Sequence, residues 1–124
     1  MKTNRIAFAL VLILAAAGVF AEDASADKVV KVEPIKVCMI NDRSMSNDQI
    51  PVPIEGKTYY GCCAMCKEKL EKDKESRYAI DPVNGKKVDK AKAVIGALPG
   101  GVVVYFENDA NLTKYNAGVR AEKK

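Results

Sequence analysis

Tyr59-Tyr60-Gly61-Cys62-Cys63-Ala64-Met65-Cys66-Lys67-Glu68-Lys69-Leu70 holds three of the four cysteines of this 124-residue chain, and the fourth, Cys38, lies upstream. Two aromatic residues lead into the cysteines and a helix-forming charged run leads out. The change from β-prone to helix-prone composition falls on the cysteines themselves. Lys67 to Lys72 is built of good helix formers. Cys62, Cys66 and Leu70 recur every four residues, so they share a face of a helix that begins near Cys62. The chain contains no histidine. Imidazole-based triads and metal sites are therefore excluded, and any chemistry here is sulfur chemistry.

Upstream of this stretch, Ile50-Pro51-Val52-Pro53-Ile54 reads as extended, because each proline pushes its predecessor out of the helical region. Glu55-Gly56-Lys57 reads as a tight turn and Thr58-Tyr59-Tyr60 as a return strand, so a hairpin is expected to feed the helix. Further back, Val29, Val30, Val32, Ile35 and Val37 form a β-rich run that Pro34 bends or places at an edge. Asn41 to Asp48 is polar and turn-like. Asp42, Asp48 and Glu55 lack calcium-loop spacing and read as solvated loop acids.

At the N-terminus, Lys2 and Arg5 precede an apolar run from Ile6 to Phe20, which closes on Val19-Phe20-Ala21. This is the pattern of a cleaved secretory signal peptide. The run is shorter than the roughly 20 residues of a membrane span. Lys2 and Arg5 are its only charges, so without it the net charge falls from +4 to +2. A near-neutral chain argues against nucleic acid as a partner. The expected location is the bacterial periplasm or the cell exterior, with no membrane contact after cleavage. A mature chain of about a hundred residues without tryptophan buries only a modest core, and cores of that size often lean on a disulfide or a metal.

Downstream, Tyr78-Ala79-Ile80 leads to a break at Asp81-Pro82. Asp81 to Asp89 is a turn and a short extended piece, and Lys90 to Leu98 is an alanine-rich segment, helical or extended. Pro99-Gly100-Gly101 turns the chain into Val102-Val103-Val104-Tyr105-Phe106, the strongest strand pattern present. Glu107 to Tyr115 is helix-compatible. An offset of about 45 positions places Tyr60 on Tyr105, Cys62 on Glu107, Cys66 on Asn111 and Leu70 on Tyr115. One residue of slippage places Cys38 on Asn84. The expected fold class is α+β, with two small tandem ββα-type units.

Cys38, Cys62, Cys63 and Cys66 can bind a metal, form disulfides or take part in thiol exchange. One helical turn separates Cys62 from Cys66, roughly 5–6 Å between β-carbons. With thiolate–metal bonds of about 2.3 Å, one ion can bridge such a pair. In that reading Cys38 can supply a third ligand, and Cys63 either a fourth ligand or a transfer thiol at the rim. An all-sulfur set suits Cu(I), Zn²⁺ or toxic ions such as Hg²⁺ or Cd²⁺. Met39 and Met65 each adjoin a cysteine, and core packing is the plainer role for both. Four cysteines in an exported chain also allow two disulfides, although vicinal Cys62–Cys63 pairing is strained. Cys63–Cys66 has Cys-x-x-Cys spacing but lacks the βαβ context of thioredoxin-type redox sites.

Val37-Cys38-Met39 followed by Gly56 to Leu70 resembles the TRASH/YHS family of small metal-binding domains, whose pattern is an upstream cysteine, an aromatic strand and Cys-x3-Cys opening a helix. Asp81-Pro82-Val83-Asn84-Gly85 with Val104-Tyr105-Phe106-Glu107 resembles the same family, with Asn84, Glu107 and Asn111 at the cysteine positions. Gly61 departs from the pattern, standing where an aromatic residue is usual. The resemblance implies treble-clef-like units, metal held by Cys38, Cys62 and Cys66, and a second unit without a soft-metal site. It also implies metal trafficking, sensing or resistance, often with copper, and a metal-transfer partner protein. The expected organisation is a signal peptide over 1–21, a flexible leader over 22–33, a cysteine-bearing unit over 34–80, a cysteine-free unit over 81–116 and a tail over 117–124. The expected activity is binding, not catalysis.

Overall fold

The computed structural model of the protein describes residues 28–121. The signal peptide expected over 1–21 and the first part of the leader lie outside the described residues.

The architecture is mixed α+β, with small antiparallel sheets and two short helices. Strand β1 (Val30–Val32) is followed by a 3-10 turn at Pro34–Lys36, β2 (Val37–Cys38) and β3 (Arg43–Ser44). Pro34 opens that 3-10 turn instead of interrupting a longer strand, because its fixed φ suits the first position of a turn of helix. Strands β4 (Ile50–Ile54) and β5 (Lys57–Gly61) then form the expected hairpin, in register from Ile50 opposite Gly61 to Ile54 opposite Lys57. Its two-residue connection, Glu55-Gly56, has φ of 51° and 77°. Two successive positive φ values match the twist of paired strands. Pro51 and Pro53 are tolerated because, among the described residues, β4 has no strand on its far side.

Helix α1 (Ala64–Lys72) follows the hairpin directly. Cys66 and Leu70 are its buried residues, so it docks on one narrow stripe. Its solvent side carries the i,i+4 pairs Lys67–Glu71 and Glu68–Lys72, each worth about 0.3–0.5 kcal/mol. At Asp73 the backbone turns extended, and the Asp73 side chain accepts from Glu75 N to start a 3-10 turn at Lys74–Arg77. Arg77 is buried and ties this junction together, donating to the carbonyls of Leu70 and Glu71 at 2.6 and 2.8 Å.

A second hairpin follows the pairing of β6 (Tyr78–Ile80) with β7 (Lys87–Asp89). Strand β8 (Val94–Ala97) pairs with β9 (Val103–Phe106), and helix α2 (Asp109–Asn116) closes the segment. The alanine-rich Lys90–Leu98 stretch is thus extended where it is ordered into an element. Val94 and Ile95 favour a strand, and Gly96 disfavours a helix. Of the stretch expected as a leader, Val30–Val32 is β1 and adds to the free side of β8. Gly96 makes room there, since a β-carbon on it would meet the Val29 side chain at 2.6 Å.

One core joins everything. Val37, Met39, Val52, Tyr59 and Leu70 from the first half pack with Val88, Ile95, Val103 and Tyr105 from the second. Two polar clasps cross between the halves. Asp89 accepts from Lys57 Nζ at 2.6 Å and Tyr59 OH at 2.8 Å, and Asp42 accepts from Lys90 Nζ and Tyr105 OH, both at 2.9 Å. Hydrogen bonds to charged groups contribute about 1.5–3 kcal/mol each when shielded from water. Among the described residues, no helix is long and apolar enough to cross a membrane.

Candidate metal centre

Three elements deliver the four sulfurs. Cys38 ends β2 and is fully buried. The turn after it is fixed to the hairpin, where Met39 N donates to Tyr60 O at 2.9 Å. Cys62 follows the last residue of β5. Cys63 is the N-cap of α1, with φ −158° and ψ 173° and no side-chain capping bond. Cys66 lies in the first turn of α1 on its buried stripe.

The Sγ atoms of Cys38, Cys62 and Cys66 all lie within 4.8 Å of one another, close enough to bind one metal ion. Cys66 is the hub, 3.8 Å from Cys38, 3.6 Å from Cys62 and 3.5 Å from Cys63. Thiolates around one ion at bonds of about 2.3 Å stand about 3.8–4.0 Å apart, for tetrahedral and trigonal arrangements respectively. The separations of Cys66 from Cys38 and from Cys62 are close to these values. They are too long for a covalent S–S bond of about 2.05 Å, and all four cysteines are free thiols here. Cys63 touches Cys66 but stands outside the three-sulfur set.

The shared helical face expected for Cys62 and Cys66 is not how they meet. The helix begins at Ala64, so Cys62 approaches Cys66 from the end of a strand. Gly61 permits that approach. A β-carbon on Gly61 would lie 2.8 Å from Cys66 Cβ, a separation side chains do not adopt. The absence of a side chain at position 61 therefore has a steric cause.

The thiols are electrostatically unequal. Burial opposes ionisation of Cys38, but the backbone amides of Asn41 and Ile40 outweigh it and hold its pKa below 9.0. The Cys66 amide, helped by the Cys66 thiol, lowers that of exposed Cys63. Its contact with Cys38 raises that of Cys62, and burial pushes the Cys66 thiol up to about 12. Asn41 Nδ2 lies 3.5 Å from Cys62 Sγ as a donor. Half of the cluster is thus poised towards thiolate and half held as thiol. A cation held by these sulfurs would supply charge that favours the thiolate form of the rest.

Met39 is fully buried in the core, as its packing role requires. Met65 is not, being 79% exposed beside the cluster, off the stripe defined by Cys66 and Leu70.

The cysteine-free half has a polar centre of its own. Asn84 Nδ2 donates to Glu107 Oε2 at 2.8 Å. Asn111 instead turns to Asp81, donating to its Oδ2 at 2.8 Å. Asp81 is fully buried and also accepts from Glu107 N and Val83 N. Burial disfavours the Asp81 carboxylate, but these donors outweigh it and hold its pKa below the ordinary 3.8. Its lone pairs are already taken by N–H groups.

Sequence reasoning missed Asp81, Lys90 and the role of Asp42. Asp42 was expected to be merely solvated, yet it joins the two halves. Its only local signal is a position next to Asn41 in a turn, where Asn and Asp tolerate positive φ. Asp42 has φ 51°.

Comparisons with protein-family models, with curated proteins and with solved structures find no match.

Proposed function

We propose that this chain is an exported metal-binding protein that holds one thiophilic ion through Cys38, Cys62 and Cys66, for trafficking, sensing or resistance. The observation that carries the reading is the convergence of three sulfurs, from two separate parts of the sequence, within 4.8 Å of one another, close enough to bind one ion. Cu(I) suits three thiolates. Zn²⁺ suits them with a fourth ligand completing the tetrahedron. Cys63, exposed and 3.5 Å from Cys66, is the rim thiol through which an ion enters or leaves by ligand exchange with a partner protein. In this reading the two hairpin–helix segments are tandem TRASH/YHS-like units, treble-clef-like in build, and the second is a support without a soft-metal site. The protein works by binding rather than catalysis, in the periplasm or outside the cell.

The test is native mass spectrometry and free-thiol counting on protein purified from its own compartment, before and after exposure to Cu(I), Zn²⁺ and Cd²⁺. One ion per chain is expected, lost in Cys38→Ser, Cys62→Ser and Cys66→Ser and retained in Cys63→Ser. Two intact disulfides with no metal uptake would leave the protein a disulfide-stabilised interaction module, and turnover of a model disulfide would make it a thiol redox protein.

A further inference from the structure

We infer that Lys90 and Tyr105, from the half without cysteines, are positioning residues for the sulfur cluster, and that they act by clamping the turn between Cys38 and Ser44. The metal reading enters only the second arm of the test below.

The turn cannot hold itself. Its ladder is two residue pairs long, Val37 with Ser44 and Cys38 with Arg43, and short isolated hairpins are marginal in water. Asp42 at its apex is in the left-handed region, which aspartate tolerates in turns at a modest cost. What holds the turn comes from the other half of the chain. Lys90 Nζ donates to the carbonyl of Met39, the residue after Cys38, at 2.6 Å, and to Asp42 Oδ1 at 2.9 Å. Tyr105 OH donates to the same Asp42 oxygen at 2.9 Å. The backbone adds Val103 N to Asp42 O at 2.9 Å and Ser44 N to Gly101 O at 2.7 Å. Arg43 Nη2 reaches Gly100 O at 2.7 Å.

Lys90 is informative because a buried ammonium is unusual without a task. Its side chain is 7% exposed, whereas that of Asp42 is 44% exposed. The buried partner is therefore the one contributed by the supporting half. Its two acceptors both belong to the turn. That turn delivers Cys38 to the sulfur triangle, and through Asn41 an N–H to Cys62 Sγ. Releasing the clamp frees one ligand and one donor to another ligand, while leaving Cys66 and the α1 stripe untouched.

The experiment uses the full chain in three variants, Lys90→Met, Tyr105→Phe and Asp81→Asn. Tyr105→Phe removes a single hydroxyl, so it keeps the test open should Lys90→Met not fold. Asp81→Asn perturbs the same half without touching the turn. The first readout needs no metal: the rate at which iodoacetamide modifies Cys38 in the folded, reduced protein, followed by peptide mass spectrometry. Cys38 is fully buried, so its modification requires local opening. Lys90→Met and Tyr105→Phe are expected to raise that rate about tenfold or more, while the already exposed Cys62 and Cys63 change little and Asp81→Asn leaves Cys38 protected. The second readout is Cd²⁺ affinity and the sulfur-to-cadmium absorption band, where loss of supporting contacts typically costs about 10–100-fold. Unchanged Cys38 protection in both clamp variants overturns the inference, as does equal deprotection by Asp81→Asn. If the unmodified protein binds no Cd²⁺, the metal reading falls, and the alkylation rates alone decide whether the clamp exists.

Discussion

At the start of α1, Cys63 has φ −158° and ψ 173° and its side chain caps nothing; at the start of α2, Asn108 has φ −158° and ψ 172° and its side chain accepts from Asn111 N at 2.8 Å. The two hairpin–helix segments thus enter their helices with the same backbone and opposite side-chain chemistry. Three residues further on, Cys66 meets three sulfurs, while Asn111 is consumed by the buried carboxylate of Asp81. Two residues before the first N-cap, Gly61 lets Cys66 approach, while two residues before the second, Phe106 packs edge-on against Tyr115 at 5.3 Å. One junction is saturated by its own hydrogen bonds. The other is built from weak donors and acceptors, three of them close enough to bind a metal ion.

This contrast can be broken most severely by making Gly61 resemble its counterpart. Gly61→Phe is expected to force Cys66 away, abolish metal uptake and cost about 3 kcal/mol in denaturant unfolding, at the upper end of overpacking effects. Native-like uptake in that variant would show that close helix approach is not required. Next, Asp81→Asn replaces an acceptor-only group with one that presents donors to donors. The expected loss is about 2 kcal/mol with the stoichiometry of bound metal unchanged. A changed stoichiometry would mean that the saturated junction also serves the sulfur site.

A smaller effect follows from titrating Asp81 instead of replacing it. Its pKa is depressed in the folded state, so its contribution is fully present above its ordinary 3.8 and is lost as pH falls through the lower folded value. Acid unfolding should therefore steepen below pH 3.8 in the unmodified protein and flatten in Asp81→Asn. The smallest effect compares the two caps. Asn108→Ala should cost about 1 kcal/mol, whereas Cys63→Ser should be neutral or stabilise by a few tenths, since serine can supply the missing capping bond. Thermal melts of the two variants in metal-free buffer measure the difference, and a destabilising Cys63→Ser would mean that the thiol itself holds α1 in place.

The clustering of the sulfurs was legible because Cys62, Cys63 and Cys66 are near neighbours in the chain and few other residue types could share their chemistry. The hairpin with its Glu55-Gly56 turn was legible for the same reason, since prolines, glycine and alternating residues act locally. The orientation of Met65 was not, because adjacency to a cysteine says nothing about which side of a helix start faces inward. The Asp42–Lys90 contact spans 48 positions between two unremarkable charged residues, and only tertiary packing brings them together. Asp81 was read as the start of a turn, which it is. Its burial depends on α2 folding back over it, a fact no local pattern contains.

The pairing of β1 with β8 has a consequence for how the chain can be divided. Val30–Val32 precedes every cysteine, yet it lies in the sheet formed by β8 and β9, which follow them all. At the other end, the Asn116 side chain both donates to Val29 O at 3.0 Å and accepts from Val29 N at 2.8 Å, imitating one more strand neighbour across 87 positions. The stretch from Val29 to Asn116 is in effect drawn into a ring, its first and last residues fastened to each other. A cut between Ile80 and Asp81 would therefore not release two modules. It would leave β1 on the wrong fragment, and each piece would have to find the other again before either was whole.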